Sequence, residues 1–168
     1  MKNKFKAFTL IELLVVIAII GILSSIVIVN LNSARGKGQD AAVKQQMSQI
    51  RSAAILYEDT TNGFSTGNIT PGTAAAAATC STASTVFTDG SIANAIKGVG
   101  NNAGSAPNCV LGTESGALGV AQSWAMISSL RTASNSVAVF WCVDSSGKTN
   151  TVANKTTISS SGNDVVCP

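Results

Sequence analysis

An apolar run of membrane-spanning length, interrupted by a single acid, constrains this chain more than any other feature. Phe8 to Val29 reads Phe-Thr-Leu-Ile-Glu-Leu-Leu-Val-Val-Ile-Ala-Ile-Ile-Gly-Ile-Leu-Ser-Ser-Ile-Val-Ile-Val, with Glu12 its one charge. At about 1.5 Å per residue this makes a helix of roughly 33 Å, long enough for a hydrocarbon core of about 30 Å. Lys2, Lys4 and Lys6 precede it and hold that end in the cytoplasm, so the rest of the chain is expected outside. A charge at the centre of a bilayer costs roughly 2.5–3.5 kcal/mol even on a lenient scale, so a lone acid there marks a partner or a function. A secretory signal has a shorter apolar region, about 7–15 residues, without an internal acid. A plain anchor accounts for the length and the lysines but gives Glu12 no cause.

The start of the chain, Ala7 followed by Phe8-Thr9-Leu10-Ile11-Glu12 and the apolar run through Gly21, resembles the class III leader of type IV pilins and related pseudopilins. The resemblance covers residues 1 to about 35, a fifth of the chain. It implies that a prepilin peptidase cuts between Ala7 and Phe8, leaves the apolar segment on the mature subunit and N-methylates Phe8. Ala7 stands where pilins usually have Gly, and Val29 where many have Pro. Weak points in the helix therefore fall to Gly21, Ser24, Ser25, Gly36 and Gly38.

Cleavage would create an amine at Phe8, four residues before Glu12, at a helix end that favours negative charge. In a helical array the Glu12 of one subunit can meet the Phe8 amine of its neighbour, where the pair is cheaper than either charge alone. Such a pair sets axial register, because a shifted subunit leaves two buried charges alone. The competing arrangement is a pair between Glu12 and its own amine.

Beyond the span, Val43, Met47, Ile50, Ala54 and Tyr57 recur at intervals of four, three, four and three, one stripe of an amphipathic helix. A bend is expected near Gly36 and Gly38, and Asn62-Gly63 is a stop signal. Residues 60–120 are poor in large apolar groups, as in Thr73-Ala-Ala-Ala-Ala-Ala-Thr79 and Gly98-Val-Gly-Asn-Asn-Ala-Gly104, and read as loop with a short helix over Ser91–Lys97. Trp124, Met126 and Leu130 suggest a strand, and the alternation from Val137 to Val143 a second, ending in the turn Asp144-Ser-Ser-Gly147. Lys148 to Ile158 holds one or two more, and both tryptophans fall where core packing explains them. The expected fold is α+β: a long N-terminal helix, half transmembrane and half amphipathic, packed against a small antiparallel sheet, as in a type IV pilin. The divisions are leader 1–7, transmembrane and assembly helix 8–31, amphipathic helix 32–60 and disulfide-stabilised head 61–168.

Four cysteines and no histidine point to an oxidising compartment. A zinc site would need a C-x-x-C pair or imidazoles, and neither is present. Four cysteines permit three connectivities. Cys80 with Cys109 would tie the core-poor loop, and Cys142 with Cys167 would tether the tail; the latter pair resembles the disulfide-bounded loop of type IV pilins. By the loop-entropy account each bridge contributes about 3–4 kcal/mol.

The formal charge of +3 comes from the leader: without its three lysines, eight basic side chains balance eight acidic ones, so no phosphate-neutralising patch and no nucleic-acid partner are expected. No catalytic constellation emerges, and no metal or cofactor is expected. The serines of Ser145-Ser-Gly147 and Ser159-Ser-Ser-Gly162 lack an adjacent base and read as loop and turn residues. Asn68-Ile-Thr70 and Asn154-Lys-Thr156 are chance matches to a glycosylation pattern.

The resemblance thus implies a structural subunit, not an enzyme. It would be stored in the bacterial inner membrane among lipid and polymerised with itself, through an assembly platform driven by ATP, into a filament outside the cell. The alternatives are a pseudopilin of a type II secretion or DNA-uptake system, which shares this leader, and a membrane-tethered extracytoplasmic binding module.

Overall fold

The structure is a computed structural model and describes residues 8–66, 80, 84–113, 120–132, 139–153, 159–161 and 164–168. The chain divides into two compact units, Met1–Gly36 and Lys37–Pro168, and helix α1 (Leu10–Thr61) contributes to both.

In the first unit, the described side chains of α1 are exposed almost throughout, including the large apolar groups from Phe8 to Leu31. A helix apolar on every face needs lipid or other helices around it. It is the one described helix long and apolar enough to cross a membrane. The Ser25 hydroxyl donates back to the Gly21 carbonyl (2.9 Å). The helical assignment runs unbroken through Gly21, Gly36 and Gly38. A glycine costs a helix interior only about 1 kcal/mol, too little by itself to break a helix of 52 residues.

In the second unit, Val43, Met47, Ile50 and Ala54 are buried and Tyr57 packs at their edge, the stripe read from the sequence. Asn62, with φ 56°, ends the helix, its N–H donating to the Glu58 carbonyl (2.8 Å). The stripe shares one core with Phe64, Val86, Phe87, Trp124, Met126 and Val143. Trp124 is fully buried and meets Phe64 and Phe87 edge-on, at centroid distances of 6.4 and 5.9 Å. Trp141 is half-buried and carries the Lys44 ammonium 4.5 Å above its ring.

Two parts of the supposed loop region are regular. Helix α2 spans Gly90–Ala103, not Ser91–Lys97, and takes in most of the glycine-rich stretch. Ile92, Ile96, Val99 and Ala103 are its buried stripe, a pattern hidden because glycines and asparagines lie between its members. Gly98 is where α1 comes close: a Cβ there would lie 2.8 Å from the Gln46 side-chain nitrogen. Asn108–Thr113 forms β1, which the small polar composition had concealed.

Strands β1, β2 (Ala121–Ser129), β3 (Phe140–Asp144) and β4 (Thr149–Val152) form an antiparallel meander in that order. Leu130 lies just past β2, and Val137 lies outside the described residues, as do Thr73–Thr79, both glycosylation-pattern asparagines and residues 154–158. Ser159–Ser161, expected as loop, is strand β5 and pairs with β6 (Asp164–Val166) in a second, two-stranded sheet. The larger sheet is covered on both faces. Trp124 and Met126 of β2 face the helical core, whereas Ala125 packs with Val110 and Val165, and Ile127 with Cys142, Val152 and Cys167. The C-terminal tail therefore supplies the outer layer. Disulfides link Cys80 to Cys109 and Cys142 to Cys167, and among the described residues no cysteine is free.

Candidate functional site

The start of α1 folds as a reciprocal cap. Thr9 precedes the first helical residue, and both its backbone N–H and its hydroxyl donate to Glu12 Oε2, each at 2.8 Å. The Glu12 N–H donates in return to Thr9 Oγ1 (3.3 Å). This is the Thr-x-x-Glu capping box, in which two otherwise orphaned helix-end donors find acceptors within one turn. Sequence reasoning passed over Thr9, although the three-residue spacing to Glu12 was legible. Both Thr9 bonds fall on Oε2; among the described residues Oε1 has no hydrogen-bond partner. Phe8, beside the cap, is 84% exposed. Ala7 lies outside the described residues, so the Ala7–Phe8 junction has no described geometry.

The head offers a buried acid instead of a catalytic cluster. The Asp40 carboxylate, on the second unit's part of α1, accepts from the N–H groups of Arg131 and Thr132 and from the Thr132 hydroxyl. Arg131 in turn donates through Nε to the Asn102 carbonyl (2.9 Å) near the end of α2. Its guanidinium lies where a Cβ on Gly104 would sit, 2.7 Å away, and Gly104 has a left-handed φ of 80°. Two long-range contacts thus join α1, the end of β2 and the end of α2. Replacing Asp40 by alanine orphans two backbone donors, and a loss of about 2–3 kcal/mol is expected, read as a lower urea midpoint of the detergent-solubilised protein. Asp40→Asn, which retains one acceptor, should lose less.

Asp89 caps α2, and its carboxyl is held below the usual carboxylate range, first by the Ser91 hydroxyl (2.6 Å) and then by the Ser91 N–H (3.0 Å). An open groove of about 760 Å³ lies along α2, lined by Phe87, Ile96, Asn101 and Pro107, with Lys97 the one cation among its described lining residues and Cys80 at its edge. Cys80 is in a disulfide, so the groove has no thiol to act as nucleophile. No group of three potential metal ligands occurs among the described residues. Among the described residues, the capped carboxylate of Glu12 at the helix start is a charge without a cationic partner.

Comparison with known families places a match at the same end of the chain. Residues 2–28 fit the family model described as the prokaryotic N-terminal methylation motif. No curated protein and no solved structure matches the chain.

Proposed function

We propose that this chain, which carries at residues 2–28 the class III prepilin leader of type IV pilins and pseudopilins, is a structural subunit of a type IV pilus or pilus-like filament. In this reading a prepilin peptidase removes residues 1–7 and methylates the new amine of Phe8. The subunit waits in the bacterial inner membrane, and an ATP-driven platform lifts it into the filament. The observation that carries the reading is the motif, set on an α+β layout like that of type IV pilins: α1 followed by a small antiparallel sheet.

The cap suggests how the two ends of the reaction meet. Thr9 holds Glu12 through Oε2 alone, which leaves Oε1 for the Phe8 amine of a neighbour. That amine exists only after cleavage, so processing enables pairing and pairing sets register. A pair of this kind is worth keeping even at a stability cost, because its main product is specificity of assembly.

Mass analysis of the mature N-terminus is expected to find N-methylated Phe8. An intact Met1, or a start near Arg35, overturns the reading. The pseudopilin alternative shares the leader. Electron microscopy of sheared surface fractions, with identification of the fibre subunit, separates the two: long surface fibres of this chain support a pilin, and their absence favours a short secretion or uptake filament.

A further inference from the structure

Among the described residues, β4 lies at one edge of the four-stranded sheet and pairs with β3 alone. Its Thr149, Asn150 and Thr151 are exposed. An exposed edge strand is a template on which another strand can add, and threonine favours the extended form that such pairing needs. The ladder fixes which backbone groups face outward. Between β2 and β3, the Leu130 N–H donates to the Val139 carbonyl (2.8 Å) and the Ser145 N–H to the Trp124 carbonyl (2.9 Å). Odd-numbered residues of β3 therefore turn their backbone groups to β2. Even-numbered ones turn to β4, as the Asp144 N–H does in donating to the Lys148 carbonyl (3.2 Å). By the same alternation Asn150 and Val152 of β4 bond to β3, while Thr149 and Thr151 present their N–H and C=O groups to the open side.

One of those outward donors is already taken. The Thr151 N–H donates to Oδ1 of Asn150, the residue before it (2.8 Å). The other end of the same amide, Nδ2, donates to the main-chain oxygen of Pro168 (2.7 Å), so both ends of the side chain are held. Pro168 lies within reach because Cys167 is bridged to Cys142, the residue directly opposite Asn150 in the β3–β4 pairing.

We infer that Asn150 guards this edge against strand addition by a second copy of the chain. Two β4 strands meeting antiparallel about Asn150 would set Thr149 of each against Thr151 of the other, and each Thr149 carbonyl would need the Thr151 N–H across from it. With that donor held by Asn150 Oδ1, the closed pair lacks bonds on which it depends, and the edge stays single. The tail disulfide thereby gains a second consequence: by fixing Pro168 it also fixes the amide that closes the edge. The guard is independent of the filament reading.

The test uses the full chain in detergent, with self-association followed by sedimentation. Asn150→Ala frees the Thr151 N–H and should tighten self-association about tenfold or more relative to the unaltered chain. Adding Thr151→Pro removes that donor on the side β3 does not use, and the double variant should return to within about twofold of the unaltered chain. Unchanged association in Asn150→Ala overturns the inference. So does a rise that persists in the double variant, which would point to another surface or to partial unfolding. A second measurement needs no variant: by NMR hydrogen exchange on the unaltered chain, the Thr151 amide should exchange about tenfold more slowly than that of Thr149, which faces the same edge. Equal rates would show that Asn150 does not hold the donor, and the inference fails.

Discussion

Replacing Glu12 by leucine is expected to leave export and removal of the leader intact while abolishing most filament formation. The substitution removes one member of the proposed buried pair, so each neighbour's Phe8 amine enters an apolar environment with no counter-charge. Breaking such a pair costs about 3–5 kcal/mol, a loss of roughly a hundredfold or more in the assembly equilibrium. Glu12 also accepts two bonds from Thr9, so leucine damages the helix cap as well. Two controls separate these effects. Glu12→Gln keeps an acceptor for Thr9 but removes the charge, and should be as deficient in filaments as leucine. Thr9→Val keeps the charge but removes the hydroxyl, and should cost the cap only about 1 kcal/mol. Quantitative immunoblotting of sheared fibres reads all three. Normal piliation by Glu12→Gln would reduce Glu12 to a capping residue.

The second large effect is expected at the C-terminal disulfide. Cys142 and Cys167 are fully buried beside Ile127 and Val152, whereas in the other bridge Cys109 is buried but Cys80 only partly so. The two bridges span similar separations, 25 and 29 residues, so chain entropy alone predicts nearly equal contributions. Native packing does not. The tail beyond β6 is also held by the Asp144 carboxylate, which accepts from the Cys167 N–H (2.9 Å) while binding the Lys148 N–H (2.9 Å) and the Ser146 hydroxyl (2.7 Å) of the adjoining turn. Loss of the tail would uncover the outer face of the sheet and leave that buried acid short of a donor. Replacing both Cys142 and Cys167 by serine should cost about 3–5 kcal/mol, toward the top of the range for a native disulfide. The Cys80/Cys109 double serine variant should lose less, with urea denaturation of the detergent-solubilised protein as the measure. Equal losses would show that the bridges act mainly on the unfolded chain.

Local pattern was enough for several elements. The buried face of α1 could be read from Val43 to Tyr57 because helical periodicity is a property of neighbouring residues. The stop at Asn62-Gly63 and the core position of Trp124 follow from backbone preference and side-chain size in the same way. Helix α2 was underestimated because Gly98 and Gly100 oppose helix formation locally. At Gly98 the lack of a side chain makes room for Gln46 of α1, a neighbour only the fold supplies. Strand β1 and serine-rich β5 were missed for a related reason: their pairing partners, not their own side chains, make them strands. At the helix start Glu12 stood out as a charge among apolar residues, but its bonds to Thr9 emerged only with the fold of the first turn.

By itself the sequence set out the apolar run of membrane-spanning length, the acid placed four residues after the expected cut, and the amphipathic stripe. All of these depend on residues close together in the chain, where spacing and polarity suffice. Tertiary structure decided the rest. It took Asp40 to Arg131 and Thr132, the tail to the outer face of the sheet, and Asp144 to the backbone of Cys167. It also left Ile55 and Leu56 uncovered while burying the apolar groups around them. Which polar groups are worth burying, and which apolar ones remain outside, depends on what the rest of the chain brings to meet them. That is a property of the packed molecule, because distant partners cancel the cost of desolvation only once the fold has placed them within bonding distance.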